Sequence, residues 1–133
     1  MESLGGPKTA GLGFGSGLER LLLTMEAQGV TFPDPDTPDL FLAAMGEEAD
    51  FAVQTLVYEL RKLGIAAERD TCGRSLKAQM KYADKLSAAY SAVIGEQELI
   101  DGKISLKNMQ TGEKEDCELS AGAIFAHIME GEE

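Results

Sequence analysis

The sequence of 133 residues is poor in cysteine and in long hydrophobic runs, and both shortages exclude classes of protein. Cys72 and Cys117 are far apart and form no CxxC pair, so neither a disulfide framework nor a zinc site is expected. No apolar run approaches the roughly 20 residues that cross a membrane. The N-terminus lacks the basic and apolar segments of a secretory signal. We therefore expect a cytoplasmic protein with no membrane partner.

Residues arranged for catalysis are also scarce. His127 is the single histidine and stands in the apolar stretch IFAHIM, which favours a structural role over that of a general base. No serine, cysteine or lysine has a recognisable activating partner in sequence. Neither an EF-hand loop nor an HExxH motif is present. The sequence therefore predicts no complete active site, and no metal or cofactor bound by this chain.

Positive charge is scarce overall but locally concentrated. The chain has 12 Lys and Arg against 23 Asp and Glu, which gives a formal net charge of −11. That balance alone argues against nucleic-acid binding, because phosphate contacts need cations. However, seven of the cations lie between residues 61 and 85, where only three carboxylates oppose them. This basic window has a net charge of +4 and the rest of the chain −15, so we expect a basic patch on an acidic body.

Glycine and proline divide the sequence into two parts. Four alternate glycines between residues 11 and 17 precede a predicted helix over 18–28, which Gly29 ends. They do not fit GxGxxG, so a dinucleotide site is only weakly indicated. Three prolines between residues 33 and 38 exclude a helix or a central strand there. We assign residues 1–30 to a first segment, 31–38 to a linker and 39–133 to one domain.

Strand and helix patterns alternate through residues 39–133. Apolar runs predict strands at 40–45, 65–68 and 90–94, with helices at 47–63 and 75–86 between them. A hairpin is predicted next, with strands at 103–108 and 113–117 joined by a turn at Thr111–Gly112. The last predicted helix covers 119–130. Strands joined by crossover helices run parallel, whereas a hairpin is antiparallel. We predict a three-layer α/β fold with a five-stranded mixed sheet flanked by helices.

The predicted helix at 75–86 separates apolar from basic side chains. An inner stripe contains Leu76, Met80 and Ala83. Four cations recur at helical spacing away from that stripe: Arg74, Lys77, Lys81 and Lys85. Such a row either neutralises phosphates or simply solubilises the helix, and spacing alone leaves both interpretations open. Lys107 and Asn108, at the end of a strand, either meet a ligand or form an ordinary exposed strand end.

Two blocks of the sequence resemble the histidyl-tRNA synthetase family. The block GGPKTAGLGFGSGLERLL (residues 5–22) is similar to motif 3 of class II aminoacyl-tRNA synthetases, in which a glycine-rich strand precedes an arginine that contacts ATP. Gly15, Gly17 and Arg20 occupy the matching positions. The second block, GRSLKAQMKYADKLSAAYSAVIGEQEL with LKNMQTGE after it, is similar to the class IIa anticodon-binding domain. The resemblance implies an end of the catalytic domain in residues 1–30 and an anticodon-binding domain in 39–133.

The resemblance implies a tRNA-binding role without catalysis by this chain alone. ATP and Mg²⁺ serve histidylation of tRNA in the full-length family members, but motifs 1 and 2 are absent here. The full-length enzyme is expected to be a homodimer, and the isolated chain a monomer or weakly self-associating. The residues nominated as tRNA contacts are Arg74, Lys77, Gln79, Lys81, Lys85, Lys107, Asn108 and Met109. The alternative is a non-catalytic regulatory or protein-interaction module that reuses the fold.

Overall fold

A computed structural model describes residues 4–33 and 36–130. Contacts divide the chain into two units, Met1–Pro35 and Asp36–Glu133. In the first unit, α1 (Leu18–Ala27) buries none of its residues. Gly29 has a φ of 74°, and the Val30 N–H donates to the Met25 carbonyl at 3.0 Å, which closes the helix as predicted. Residues 11–17 have no regular secondary structure.

The second unit contains a five-stranded mixed sheet, which confirms the predicted fold class. Its strands are β1 (Leu40–Ala44), β2 (Ala67–Arg69), β3 (Tyr90–Ile94), β4 (Lys103–Asn108) and β5 (Lys114–Glu118). They lie in the order β2-β1-β3-β4-β5. β1 runs parallel to its two neighbours, β2 and β3, whereas β3–β4 and β4–β5 are antiparallel. The crossover part of the chain therefore forms one side of the sheet and the hairpin the other.

Helices cover the sheet on both faces. They are α2 (Glu47–Lys62), α3 (Leu76–Lys85), α4 (Glu96–Asp101) and α5 (Ala121–Glu130). Side chains alternate between the faces of a strand. Leu40 and Leu42 thus share a buried cluster with residues of α2 and α5, whereas Phe41 shares the opposite cluster with Ala83 of α3. No helix within residues 4–33 and 36–130 has the length and apolar character needed to cross a membrane.

Two elements begin two residues later than predicted, each because of a local hydrogen bond, and the other predicted bounds differ by at most one residue. β2 begins at Ala67 rather than residue 65, because the Ile65 N–H donates to the Leu60 carbonyl at 3.1 Å and closes the end of α2 instead. α5 begins at Ala121 rather than residue 119. There the Ser120 hydroxyl accepts a bond from the Ala123 N–H at 3.2 Å, as an N-cap side chain does.

Candidate nucleic-acid interface

A buried carboxylate anchors the loop that enters α3. Asp70 follows β2 directly and is only 6% exposed. It accepts hydrogen bonds from the Arg74 backbone N–H at 2.7 Å and from the Arg74 guanidinium at 2.5 Å. Burial opposes ionisation of Asp70, but the bonds and charge of Arg74 outweigh it and lower the pKa of this carboxyl below its ordinary value. The anchor is therefore an ionised pair at neutral pH.

Arg74, just before α3, has contacts within the described part of the protein that the nominated lysines of α3 lack. Its guanidinium lies 4.5 Å from the centre of the Tyr82 ring, and Tyr82 packs edge-to-face on Phe41 of β1 at 6.0 Å. The pairing with Asp70 also raises the pKa of Arg74. The sequence pattern groups Arg74 with the lysines of α3, but in the structure its guanidinium is paired with Asp70. Arg74 thus fixes the start of α3, where Ser75 occupies the N-cap position without a side-chain capping bond.

Gln79 is the most buried of the residues nominated as RNA contacts on α3. It is 5% exposed, and its side-chain amide pairs with both backbone groups of Ala44 at the end of β1, with both distances 3.0 Å. The same amide nitrogen donates to the Arg74 carbonyl at 2.9 Å. All these bonds lie inside the protein, so Gln79 ties α3 to β1, and contact with RNA stays a prediction for this residue.

The lysines of α3 remain on the surface. Lys77, Lys81 and Lys85 are exposed, and none forms an ion pair within the described ranges. Tyr82 on one flank of α3 lines a depression along the β2 edge with Ala67. Helical geometry places all three lysines, called here the lysine flank, on the outer face of α3, and Lys77 is the one turned furthest from Tyr82. Because Tyr82 lies towards the β2 edge, Lys77 is on the side of α3 nearer to β3 and the hairpin, whereas Lys81 points away from the sheet.

Arginine and lysine have separate roles in the basic window. Each arginine of the window pairs with a carboxylate: Arg61 with Glu68 at 2.8 Å, Arg69 with Asp50 at 3.0 Å, and Arg74 with Asp70. Lys62 lies 5.5 Å from the centre of the Tyr58 ring on α2. No local pattern separates the seven cations, because their partners are determined by tertiary contacts. The uncommitted charge of the window is thus carried by lysines.

The nominated residues at the end of β4 lie on different faces of the sheet. Leu106 and Asn108 line a cavity of about 290 Å³ together with Tyr90, His127 and three glutamates. Lys107 points the other way, towards the side of α3, by strand alternation. The Asn108 side-chain oxygen accepts bonds from the Gln110 and Thr111 N–H groups, at 2.9 and 3.1 Å, and shapes the hairpin turn. The structure therefore separates Lys107 from Asn108.

Met109 is the last of the nominated positions in the second unit. Its sulfur accepts a hydrogen bond from the Ser91 hydroxyl at 3.1 Å, and its backbone N–H donates to the Ala89 carbonyl at 2.8 Å. The side chain is half-buried. Met109 thus packs beside β3 on the same face as Lys107, and contact with RNA stays a prediction for this residue.

The positions nominated for ATP lie in the first unit. Gly15 and Gly17 are exposed, and a Cβ placed on Gly15 meets no atom within 4 Å. Arg20 lies in the first turn of α1 and is also exposed. Across residues 4–33 and 36–130, no group of three metal-ligating side chains is suitably placed for an ion. These residues do not form an enclosed nucleotide site by themselves, so we derive no catalytic step from them, and the ATP contact stays a prediction.

Comparison with known proteins supports the assignment made from the two sequence blocks. A family model described as an anticodon binding domain matches residues 39–124. Histidine–tRNA ligase of Acetivibrio thermocellus is 54% identical over 119 residues, which is 90% of this chain and 28% of that protein. The Alkaliphilus oremlandii ligase is 42% identical over 131 residues, 98% of this chain and 31% of that protein. The chain thus spans about three-tenths of the curated relatives it matches.

Solved structures agree with this result. Apo histidyl-tRNA synthetase of S. aureus superposes with a TM-score of 0.64 at 40% identity, covering 87% of this chain and 28% of that one. The RNA binding domain of threonyl-tRNA synthetase from Cryptosporidium parvum gives 0.62 at 19% identity, over 71% of this chain and 24% of that one, which supports the fold alone. The chain therefore belongs to the anticodon-binding domain family and corresponds to the C-terminal anticodon-binding portion of a histidyl-tRNA synthetase.

Proposed function

We propose that this chain binds the anticodon stem–loop of a histidine tRNA through the lysine flank of α3. The observation that carries the proposal is the division of charge in the basic window. Its arginines are paired with carboxylates, whereas Lys77, Lys81 and Lys85 are exposed and without an ion pair in the described chain. Ammonium groups that lack an internal partner are suited to contacts with phosphate oxygens.

The surrounding structure supports this use of α3. Gln79 and the Asp70–Arg74 pair fix the start of the helix to the ends of β1 and β2, so the lysines project from a rigid element. The rest of the chain carries strong negative charge. Phosphates are repelled by that charge and attracted by the lysine flank, which would orient an approaching RNA.

The proposed role within a longer synthetase is recognition and not chemistry. Anticodon binding by this portion would support ATP-dependent histidylation of tRNA in the full-length enzyme. ATP and Mg²⁺ would serve the catalytic part of that enzyme, and this chain alone is not expected to be catalytically competent. Residues 1–30 would then be the end of the catalytic domain, with Arg20, Gly15 and Gly17 contacting ATP only in that larger context.

A charge-reversal experiment tests the proposal. The 133-residue chain is titrated against a fluorescent anticodon stem–loop RNA at several salt concentrations. One phosphate contact for each of the three lysines would contribute about −2 to −3 to the slope of log affinity against log salt. Lys77→Glu with Lys81→Glu should abolish most of the binding. Lys62→Glu with Lys103→Glu changes the net charge equally at residues of α2 and β4, and serves as the control.

Two results would contradict the proposal. One is wild-type protein that binds no stem–loop even at low salt. The other is an equal loss of affinity in the α3 variant and in its control, which would mean that net charge and not the lysine flank governs the interaction.

An alternative function is a non-catalytic protein-interaction module, and the exposed leucines of α1 favour it. Leu18, Leu21 and Leu23 are 73%, 51% and 65% exposed. Apolar surface of this kind marks contact sites. In a full-length homodimer the catalytic domain would cover it, whereas the isolated chain would be a monomer or weakly self-associating. Light scattering after nuclease treatment tests this: a concentration-dependent mass that Leu21→Ser with Leu22→Ser removes would support it.

A further inference from the structure

We propose that Lys107 and Lys114 form a second phosphate-binding element, the sheet lysine pair, on the open sheet face beside α3. The inference rests on the proposed function, because it takes the same RNA as its ligand. It adds a site on a different structural element, more than twenty residues away in sequence from α3. It also gives the RNA backbone a direction across the domain, from the helix to the β4–β5 hairpin.

The strand register places the pair next to the α3 layer. Phe41 on β1 pairs with Ser91 on β3, Ser91 with Lys107 on β4, and Lys107 with Lys114 on β5. Neighbouring strands are about 4.8 Å apart, so these residues form one row across the sheet. Phe41 begins the row beneath α3, where it contacts Tyr82. The row then leaves the helix and ends at the two lysines on the open hairpin.

The charge of the pair is unusual for a β-ladder. Like charges directly opposite each other on neighbouring strands destabilise a sheet. Lys103 of the same ladder is opposite Glu118, which is the favourable arrangement. Lys107 and Lys114 are opposite each other, and neither forms an ion pair within the described ranges. Asp116, diagonal to Lys107, is the nearest carboxylate by register on that face.

Strand alternation keeps other carboxylates away from the pair. Glu113 and Glu115 flank Lys114 in sequence, but both line the cavity beside His127 on the opposite face. Lys77 of the lysine flank is on the side of α3 nearer to the hairpin, and Lys81 points outward beside it. Two ammonium groups at facing positions can share one phosphate, which would offset their repulsion. A backbone that crosses from α3 to the hairpin therefore meets positive charge at both ends of its path.

A matched pair of variants tests the sheet lysine pair with the same fluorescent anticodon stem–loop. Lys107→Gln with Lys114→Gln should reduce the steepness of the salt dependence by about 1.5 and the affinity at 0.1 M salt by roughly 10- to 30-fold. The control, Lys62→Gln with Lys103→Gln, also removes two positive charges. Lys103 is on the same strand and the same face as Lys107. This control should change the affinity less than threefold. Relief of the repulsion should keep the thermal midpoint of the first variant at or above that of the wild type.

The outcomes separate this inference from the proposed function. Loss of binding in the α3 variant, with wild-type affinity and salt dependence for the sheet variant, would overturn the inference and leave the proposed function standing. Failure of the wild type to bind would overturn both. Lys114→Gln alone guards against misfolding of the double variant and should lower the salt dependence by about half as much. An unchanged salt dependence in that folded single variant would also overturn the inference.

Discussion

The two faces of the sheet differ in how their helices are held and in the charge they present. Among the residues that the structure describes, fifteen buried hydrophobic residues form the cluster beneath α2 and α5, whereas four form the cluster beneath α3. The α5 face presents Glu113, Glu115 and Glu130 around its cavity, and the α3 face presents lysines. The helix with the small apolar core is the one fixed by polar contacts from Gln79 and Asp70. The net charge of −11 therefore does not describe the local charge on the α3 face of the domain.

The largest effect is expected at Gln79, where a substitution tests whether polar contacts hold α3 on the sheet. Gln79→Leu should destabilise the protein by about 2–4 kcal/mol, because the backbone groups of Ala44 and the Arg74 carbonyl would lose buried partners. Urea unfolding measures the change, with the exposed Gln110→Leu as control. RNA affinity should fall as well, since Gln79 positions the lysine flank. A loss below about 0.5 kcal/mol would show that polar contacts are not what holds α3.

Removal of the Asp70 charge should have a smaller and pH-dependent effect. The folded-state pKa of Asp70 is lowered, so its contribution to stability is present above the unfolded pKa and is lost as the pH falls through the folded pKa. Asp70→Asn should therefore unfold at a lower temperature than wild type at pH 7. The two melting temperatures should converge as the pH falls below about 4, the ordinary range of an aspartate. A difference that is independent of pH would contradict the ion-pair role.

The acidic face offers the mildest test. Glu113→Gln with Glu115→Gln removes two negative charges from the side opposite the lysines. Screening acts over about 10 Å at 0.1 M salt, so affinity for the stem–loop should rise by no more than about threefold. The same titration series measures it, with Glu47→Gln and Glu48→Gln on α2 as the control. An increase of tenfold or more would mean that RNA approaches the α5 face, and would break the assignment of the two faces.

Much of the fold follows from local sequence pattern. The ranges predicted for β3 and β4 are those of the structure, and Gly112, with a φ of 78°, forms the predicted hairpin turn. Leu76, Met80 and Ala83 do face the sheet from α3. Such features depend on residues a few positions apart, so periodicity and turn preference are sufficient to find them. The candidate site was predicted as a set of cations on α3, without their partners.

The sequence by itself determined the mixed α/β sheet, the exposed lysines of α3 and the likeness to the histidyl-tRNA synthetase family. Only the tertiary structure decided which polar residues are free. It buried Gln79 against Ala44, 35 positions away, paired the arginines, and set Lys107 opposite Lys114. The physical reason is range: helix faces and turns depend on neighbours in the chain. The partner of a buried amide or a cross-strand lysine depends on the strand register and on how the layers pack.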